Sequence, residues 1–160
     1  MSPRSTISVY HNAEIAHRLS ELPGKCQNIH GHSLKIHLAL AGQLDEHGLL
    51  CGLDFGTVKA EFRSYIDTNY DHHLLLNKDD PWAGDLIRAD GEGELEQQPL
   101  DQLPGLVMCM GDPTTERMAV WIAEWAEAQY HKYGIAAVYV EVRETDTNGS
   151  DCAISVEGAP

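Results

Sequence analysis

The stretch Ser33-Leu34-Lys35-Ile36-His37-Leu38-Ala39-Leu40 alternates large apolar side chains with polar or small ones. A period of two belongs to a strand with one buried face. Upstream, Ser5 to Tyr10 is β-prone and predicts a second strand. Downstream, Ala41-Gly42 and Asp45-Glu46-His47-Gly48 break the pattern, and Leu49 to Leu53 is expected to return as an antiparallel hairpin partner.

Two helices follow from the same kind of reading. Asp54 is a capping residue, and Val58, Phe62, Tyr65 and Ile66 behind it share one helical face, ending near Asn69. Asp112-Pro113-Thr114-Thr115-Glu116 combines a capping side chain, a proline in the first turn and an early acid, which starts a second helix. Met118, Ile122 and Trp125 form its buried face as far as about Tyr133, where Gly134 stops it. Ala137 to Val142 and Cys152 to Val156 then read as strands around the turn from Asp146 to Asp151. The chain order is strand, strand, helix, helix, strand, strand. It predicts an α+β domain in which two helices cover one face of a four-stranded antiparallel sheet.

A chain of 160 residues suits one domain, so 1–160 reads as a single unit. Between 78 and 111 the composition changes to proline, glycine and acid, with eight acidic side chains against Arg88 from 79 to 101. This predicts a solvated loop or insertion. Lys and Arg total 11 against 25 for Asp and Glu, a net charge of −14. That balance argues against nucleic-acid backbones and anionic membrane surfaces, and favours small soluble substrates. No apolar run approaches the roughly 18 residues of a membrane span, and no leader pattern is evident, so a cytoplasmic location is expected. The four cysteines, Cys26, Cys51, Cys109 and Cys152, show no paired spacing and read as reduced thiols.

The chemistry concentrates around His30-Gly31-His32. Residues i and i+2 of a strand point to the same side and can share a metal ion, with His17 available as a third imidazole. Three imidazoles with an open fourth position would be a catalytic site; surface histidines are the plainer alternative. Cys26 is near enough to join that pocket, where a metal and Lys25 would favour a thiolate able to act as a base; an inert thiol is the alternative. Asp71 can set the tautomer of His72 for proton transfer, or the pair can simply end a helix. Glu144 closes the strand begun at Ala137, and its carboxylate can take two hydrogen bonds from an amino-pyrimidine edge or remain solvated.

Taken in order, Ala16-His17-Arg18-Leu19, Cys26-x-x-x-His30-Gly31-His32, Asp54-Phe55, Asp71-His72, Pro113-Thr114-x-Glu116 and Glu144-Thr145 resemble the motifs of the 6-pyruvoyl and 6-carboxytetrahydropterin synthases. The resemblance implies the tunnelling fold, in which subunits join sheets edge to edge into an oligomeric β-barrel, commonly as hexamers. It implies Zn2+ on His17, His30 and His32, Cys26 as catalytic base, Asp71 and His72 as proton relay, Glu144 as pterin anchor, and Thr114 and Thr145 as further substrate contacts. The family substrate is dihydroneopterin triphosphate. The pyruvoyl branch eliminates triphosphate; the carboxy branch also releases acetaldehyde on the way to 7-deazapurines such as queuosine. The spacing from Cys26 to His30 resembles the carboxy branch. The alternatives are the pyruvoyl product and a non-catalytic zinc-binding protein. Arg18, Lys25, Lys35 and Arg143 are the cations near these motifs that could meet a triphosphate.

Overall fold

In the computed structural model, which describes residues 4–84 and 105–156, the alternating stretch lies inside a strand much longer than its pattern. Strand β1 spans Arg4–His17 and β2 spans His30–Gln43, paired antiparallel along their whole length from Arg4↔Gln43 to His17↔His30. Helix α1 covers Phe55–Asn69, β3 His73–Asn77, β4 Leu106–Cys109, α2 Thr115–Tyr130, β5 Ala137–Arg143 and β6 Gly149–Ser155. The sheet order is β4-β3-β1-β2-β5-β6.

The four foreseen antiparallel strands are β1, β2, β5 and β6, and they stand side by side. The sheet nevertheless has six strands, because β3 adds in parallel beside the end of β1 and β4 adds in parallel beside β3. Both are short apolar runs without alternation. The second lies inside the 78–111 stretch expected to be loop; positions 85–104 of that stretch are outside the described residues.

The hairpin partner expected at Leu49 to Leu53 does not form as a strand. Leu50 makes only isolated bridges, to Leu44 and Leu53. Cys51 at φ 51° and Gly52 at φ 75° coil the chain there, since two successive left-handed residues cannot continue an extended ladder.

One face of the sheet carries the core. Leu34, Ile36, Leu38 and Leu40 of β2 are fully buried together with Ile7, Val9, Ala13 and Ile15 of β1. Val58, Phe62 and Ile66 of α1 and Met118, Ile122 and Ala126 of α2 close over them. Trp125 is only partly buried, stacked on Tyr65 with ring centroids 4.0 Å apart. Asp54 caps α1 as foreseen, accepting the amide of Thr57 at 3.0 Å. The cap of α2 is Thr114, which accepts the amide of Arg117 at 3.3 Å. Pro113 therefore precedes the helix instead of entering its first turn, and Asp112 is freed for other bonds. After Tyr130 a single tight turn leads to Gly134, left-handed at φ 75°.

The opposite face is open, with Tyr10 stacked on His37 at 4.4 Å. Within one chain the sheet does not close: β6 forms one edge, and β3 covers β1 only from Ile15 to His17.

Candidate metal centre

The β1–β2 register places the last residue of one strand opposite the first of the next, His17 against His30, with His32 facing Ile15. All three imidazoles project to the helix side, because positions 13, 15 and 17 of β1 and 30, 32 and 34 of β2 share that face. One nitrogen from each histidine lies within 4.8 Å of the other two. The ring centroids are 4.6 to 5.1 Å apart.

The outer nitrogens are fixed. His17 Nδ1 lies 2.8 Å from the carbonyl oxygen of Pro113, and His30 Nδ1 lies 2.8 Å from that of Asn28. A carbonyl only accepts, so both Nδ1 atoms carry the proton and both Nε2 atoms present lone pairs. Those Nε2 atoms are 3.2 Å apart. Two lone pairs at that distance repel unless a cation lies between them, so the donor set fits a metal ion. Burial, and then the nearby charge of His30 and His32, pushes the His17 pKa below its usual value, although the Pro113 bond opposes the shift. The imidazole therefore stays neutral, the form that ligates.

These histidines line a cavity of about 350 Å³. Cys26 stands exposed at its rim, on the short turn Lys25–Gln27, whose position is fixed by the Leu19 amide donating to the Cys26 carbonyl at 2.8 Å. Glu144, next after β5, reaches in from the far side. Its Oε2 accepts the Thr115 hydroxyl at 2.7 Å and lies 3.9 Å from His32 Nε2. Thr114, Glu116, Leu19 and Leu22 complete the wall.

The other expected site residues fall elsewhere. Asp71 and His72 pair at 2.7 Å in the turn before β3, where Asp71 also accepts the Glu14 amide at 2.8 Å. His72 is largely exposed, at φ 59°, and neither residue lines the cavity of its own chain. Thr145 does not line it either; its hydroxyl accepts the amides of Thr147 and Asn148 and shapes the β5–β6 turn. Among the cations, Arg18 is buried against Asp80 at 3.0 Å and lies over the Trp82 ring at 3.9 Å. Lys35 pairs with Asp146 at 2.7 Å, and Arg143 donates to the Asp146 carbonyl at 2.7 Å. Among the described residues, Lys25 carries no ion pair.

Sequence reasoning placed Thr115 and Glu116 at a helix start without giving either a part in the site, and it missed the Pro113 carbonyl. The carbonyl has no signal in side-chain identity. Thr115 had one: a second hydroxyl directly after the capping Thr114.

A small α+β protein with an open, mostly antiparallel sheet and a three-histidine pocket at the end of its central strand pair is the class defined by this fold and site. The model of the 6-pyruvoyl tetrahydropterin synthase family matches residues 6–154, and the chain belongs to that family. It is 37% identical over 75 residues to the 6-carboxy-5,6,7,8-tetrahydropterin synthase of Rickettsia conorii, a stretch covering 46% of this chain and 53% of that protein. It is 36% identical over 96 residues to a probable 6-carboxy-5,6,7,8-tetrahydropterin synthase of Halobacterium salinarum, covering 58% of this chain and 59% of that one. The chain thus spans little more than half the length of these curated relatives. Among solved structures, the 6-pyruvoyl tetrahydropterin synthase of Plasmodium falciparum superposes with a TM-score of 0.68 at 17% identity, covering 96% of this chain and 99% of that one. At that identity the likeness concerns the fold.

Proposed function

We propose that this protein is a zinc-dependent lyase that converts 7,8-dihydroneopterin triphosphate and one water to 6-carboxy-5,6,7,8-tetrahydropterin, acetaldehyde and triphosphate. The observation that carries the reading is the convergence of three imidazole nitrogens, a thiol and a carboxylate on one cavity. Tetrahedral zinc–nitrogen bonds of about 2.0–2.1 Å require nitrogens about 3.3 Å apart, and His17 and His30 already stand at 3.2 Å. Zinc held by His17, His30 and His32 would supply Lewis acidity, lowering the pKa of substrate side-chain hydroxyls.

The chain's own residues account for binding and proton movement. Glu144 accepts paired N–H groups of the aminopyrimidine edge, and the Thr115 hydroxyl holds its carboxylate toward the cavity. Leu19 and Leu22 form the apolar part of the wall. Cys26 Sγ, at the rim, takes the proton from the substrate side chain. Thr114 contributes a hydroxyl to the wall, whereas Thr145 acts through the turn that carries Glu144. Lys25, beside Cys26 and without an ion pair among the described residues, is the cation best situated for the triphosphate.

Asp71 and His72 form a relay of suitable geometry outside the cavity of their own chain. Their part in the reaction therefore calls for a second copy, consistent with a homo-oligomer, commonly a hexamer in this family, built through the open sheet edges. No helix among the described residues is long and apolar enough to cross a membrane, and we assign the enzyme to the cytoplasm and its product to 7-deazapurine (queuosine) synthesis. The carboxy branch is preferred for the Cys26-x-x-x-His30 spacing and for the names of the curated relatives.

The test is incubation of zinc-loaded protein with dihydroneopterin triphosphate, with mass spectrometry of pterins and a parallel acetaldehyde assay. Carboxytetrahydropterin with stoichiometric acetaldehyde is expected. Pyruvoyl product without acetaldehyde would move the chain to the sister branch. Zinc binding without turnover would make it a binding protein.

A further inference from the structure

Asp112 is a buried carboxylate that the reaction itself does not use. Its Oδ1 accepts the Ser20 hydroxyl at 2.9 Å and the Asn77 side-chain amide at 3.3 Å, and its Oδ2 accepts the Glu21 backbone amide at 2.7 Å. Its own carbonyl accepts the Thr114 amide at 2.8 Å and the Arg117 guanidinium at 3.3 Å. That guanidinium packs over Gly111, where any Cβ would collide with it.

One side chain thus ties together three segments. Ser20 and Glu21 belong to the stretch that leaves His17 and carries Leu19 and Leu22 of the cavity wall. Asn77 ends β3. Asp112 itself leads into α2, whose cap Thr114 and first residues Thr115 and Glu116 also line the cavity. Between Asp112 and the helix stands Pro113, with its φ restricted by the ring, and its carbonyl holds His17 Nδ1. The same carboxylate that anchors the chain after His17 therefore fixes the peptide that sets the His17 tautomer. We propose that Asp112 is a positioning residue for the metal centre, locking His17 with Nε2 toward the cavity through the Pro113 carbonyl. The inference rests on the metal reading given above.

Three donors converge on this carboxylate, and an asparagine cannot serve them all. Its amide nitrogen would face either the Glu21 N–H or the Asn77 amide, so at least one bond is lost while the volume is kept. The experiment compares the full chain with Asp112→Asn, Asp112→Ala and Ser20→Ala. Calorimetric titration with Zn2+ is one readout, and the His17 side-chain nitrogen resonances of the metal-free protein are the other. Circular dichroism checks the fold. For Asp112→Asn the expected result is a roughly tenfold to hundredfold rise in Kd, the usual range for outer-shell partners of a ligand. The His17 Nδ1–H signal should lose protection from exchange. Ser20→Ala, which leaves α2 untouched, should move both readouts less and in the same direction. Folded variants with the parent Kd and the parent His17 resonance would overturn the proposal, as would a lowered thermal midpoint with both readouts unchanged. If the parent chain itself bound no Zn2+, the metal reading would fail, and the His17 resonance would still test the Asp112 lock.

Discussion

Gly31 separates two of the three histidines, and the structure gives a quantitative reason why no side chain belongs there. A Cβ at this position would sit 2.9 Å from the carbonyl oxygen of Ile15, on the paired strand β1. Carbon–oxygen contacts of this kind settle at about 3.3–3.6 Å, so Gly31→Ala must separate the strands locally by about 0.5 Å. The obstacle is the backbone of the paired strand, which cannot swing away as a side chain would. His17 lies on β1, and His30 and His32 flank the substitution on β2. A displacement of half an ångström exceeds the roughly 0.2 Å tolerance of metal–ligand distances. Zinc affinity measured by competition with a chelating dye should fall at least about tenfold. Global stability should drop by only about 1–3 kcal/mol, the usual cost of overpacking. Lys35→Ala, an exposed change farther along the same strand, is the control and should alter neither. Unchanged zinc affinity in a folded Gly31→Ala protein would refute the argument that strand separation sets the site.

Three further outcomes follow from other parts of the molecule. Glu144→Gln exchanges a charged acceptor for a half-donor, so KM for the pterin should rise by about ten- to a hundredfold with zinc affinity preserved; equal KM values would remove Glu144 as the anchor. Phe62→Ala opens a cavity under α1, where the ring is fully buried, and should cost about 3–5 kcal/mol in urea unfolding, whereas exposed Phe55→Ala should cost less than about 0.5 kcal/mol. On acidification, Asp112 resists protonation: burial would raise its pKa, but the bonds from Glu21, Ser20 and Asn77 prevail and hold it below the usual value. Asp71 is lowered too, chiefly by the Glu14 amide. A folded pKa below the unfolded one means stability present above about pH 3.9 and lost as pH falls through the folded value. The acid limb of the stability curve should therefore flatten in Asp112→Ala, and identical limbs would contradict this.

Much of this protein is legible in one dimension because the relevant forces are periodic or local. The alternation from Ser33 to Leu40 identifies β2 since only a period of two buries Leu34, Ile36, Leu38 and Leu40 together. Asp54 and Gly134 announce helix boundaries because capping bonds and positive φ involve neighbours in sequence. The three histidines were readable for a related reason: His30 and His32 share a strand face by geometry alone, and the motif order supplied His17. The short strands β3 and β4 were not readable. Five and four residues without alternation carry no period; β3 becomes a strand on the edge that the end of β1 offers, and β4 on the edge of β3. Leu49 to Leu53 failed in the opposite sense, its apolar run overridden by the left-handed backbone at Cys51 and Gly52.

By itself, then, the sequence determined the limits of α1, the strand character of β1 and β2 and the kinds of groups available for chemistry, because each is written in the residues that carry it. Tertiary structure alone decided which of those groups meet. It brought Glu144 and Thr115 to the histidines, turned Arg18 inward onto Asp80, and left Asp71 and His72 outside the cavity of their own chain. It also made the Pro113 carbonyl an outer partner of His17. His17 and Pro113 are 96 positions apart, His32 and Glu144 farther still, and such contacts depend on the register of strands and the docking of helices, which no local pattern encodes.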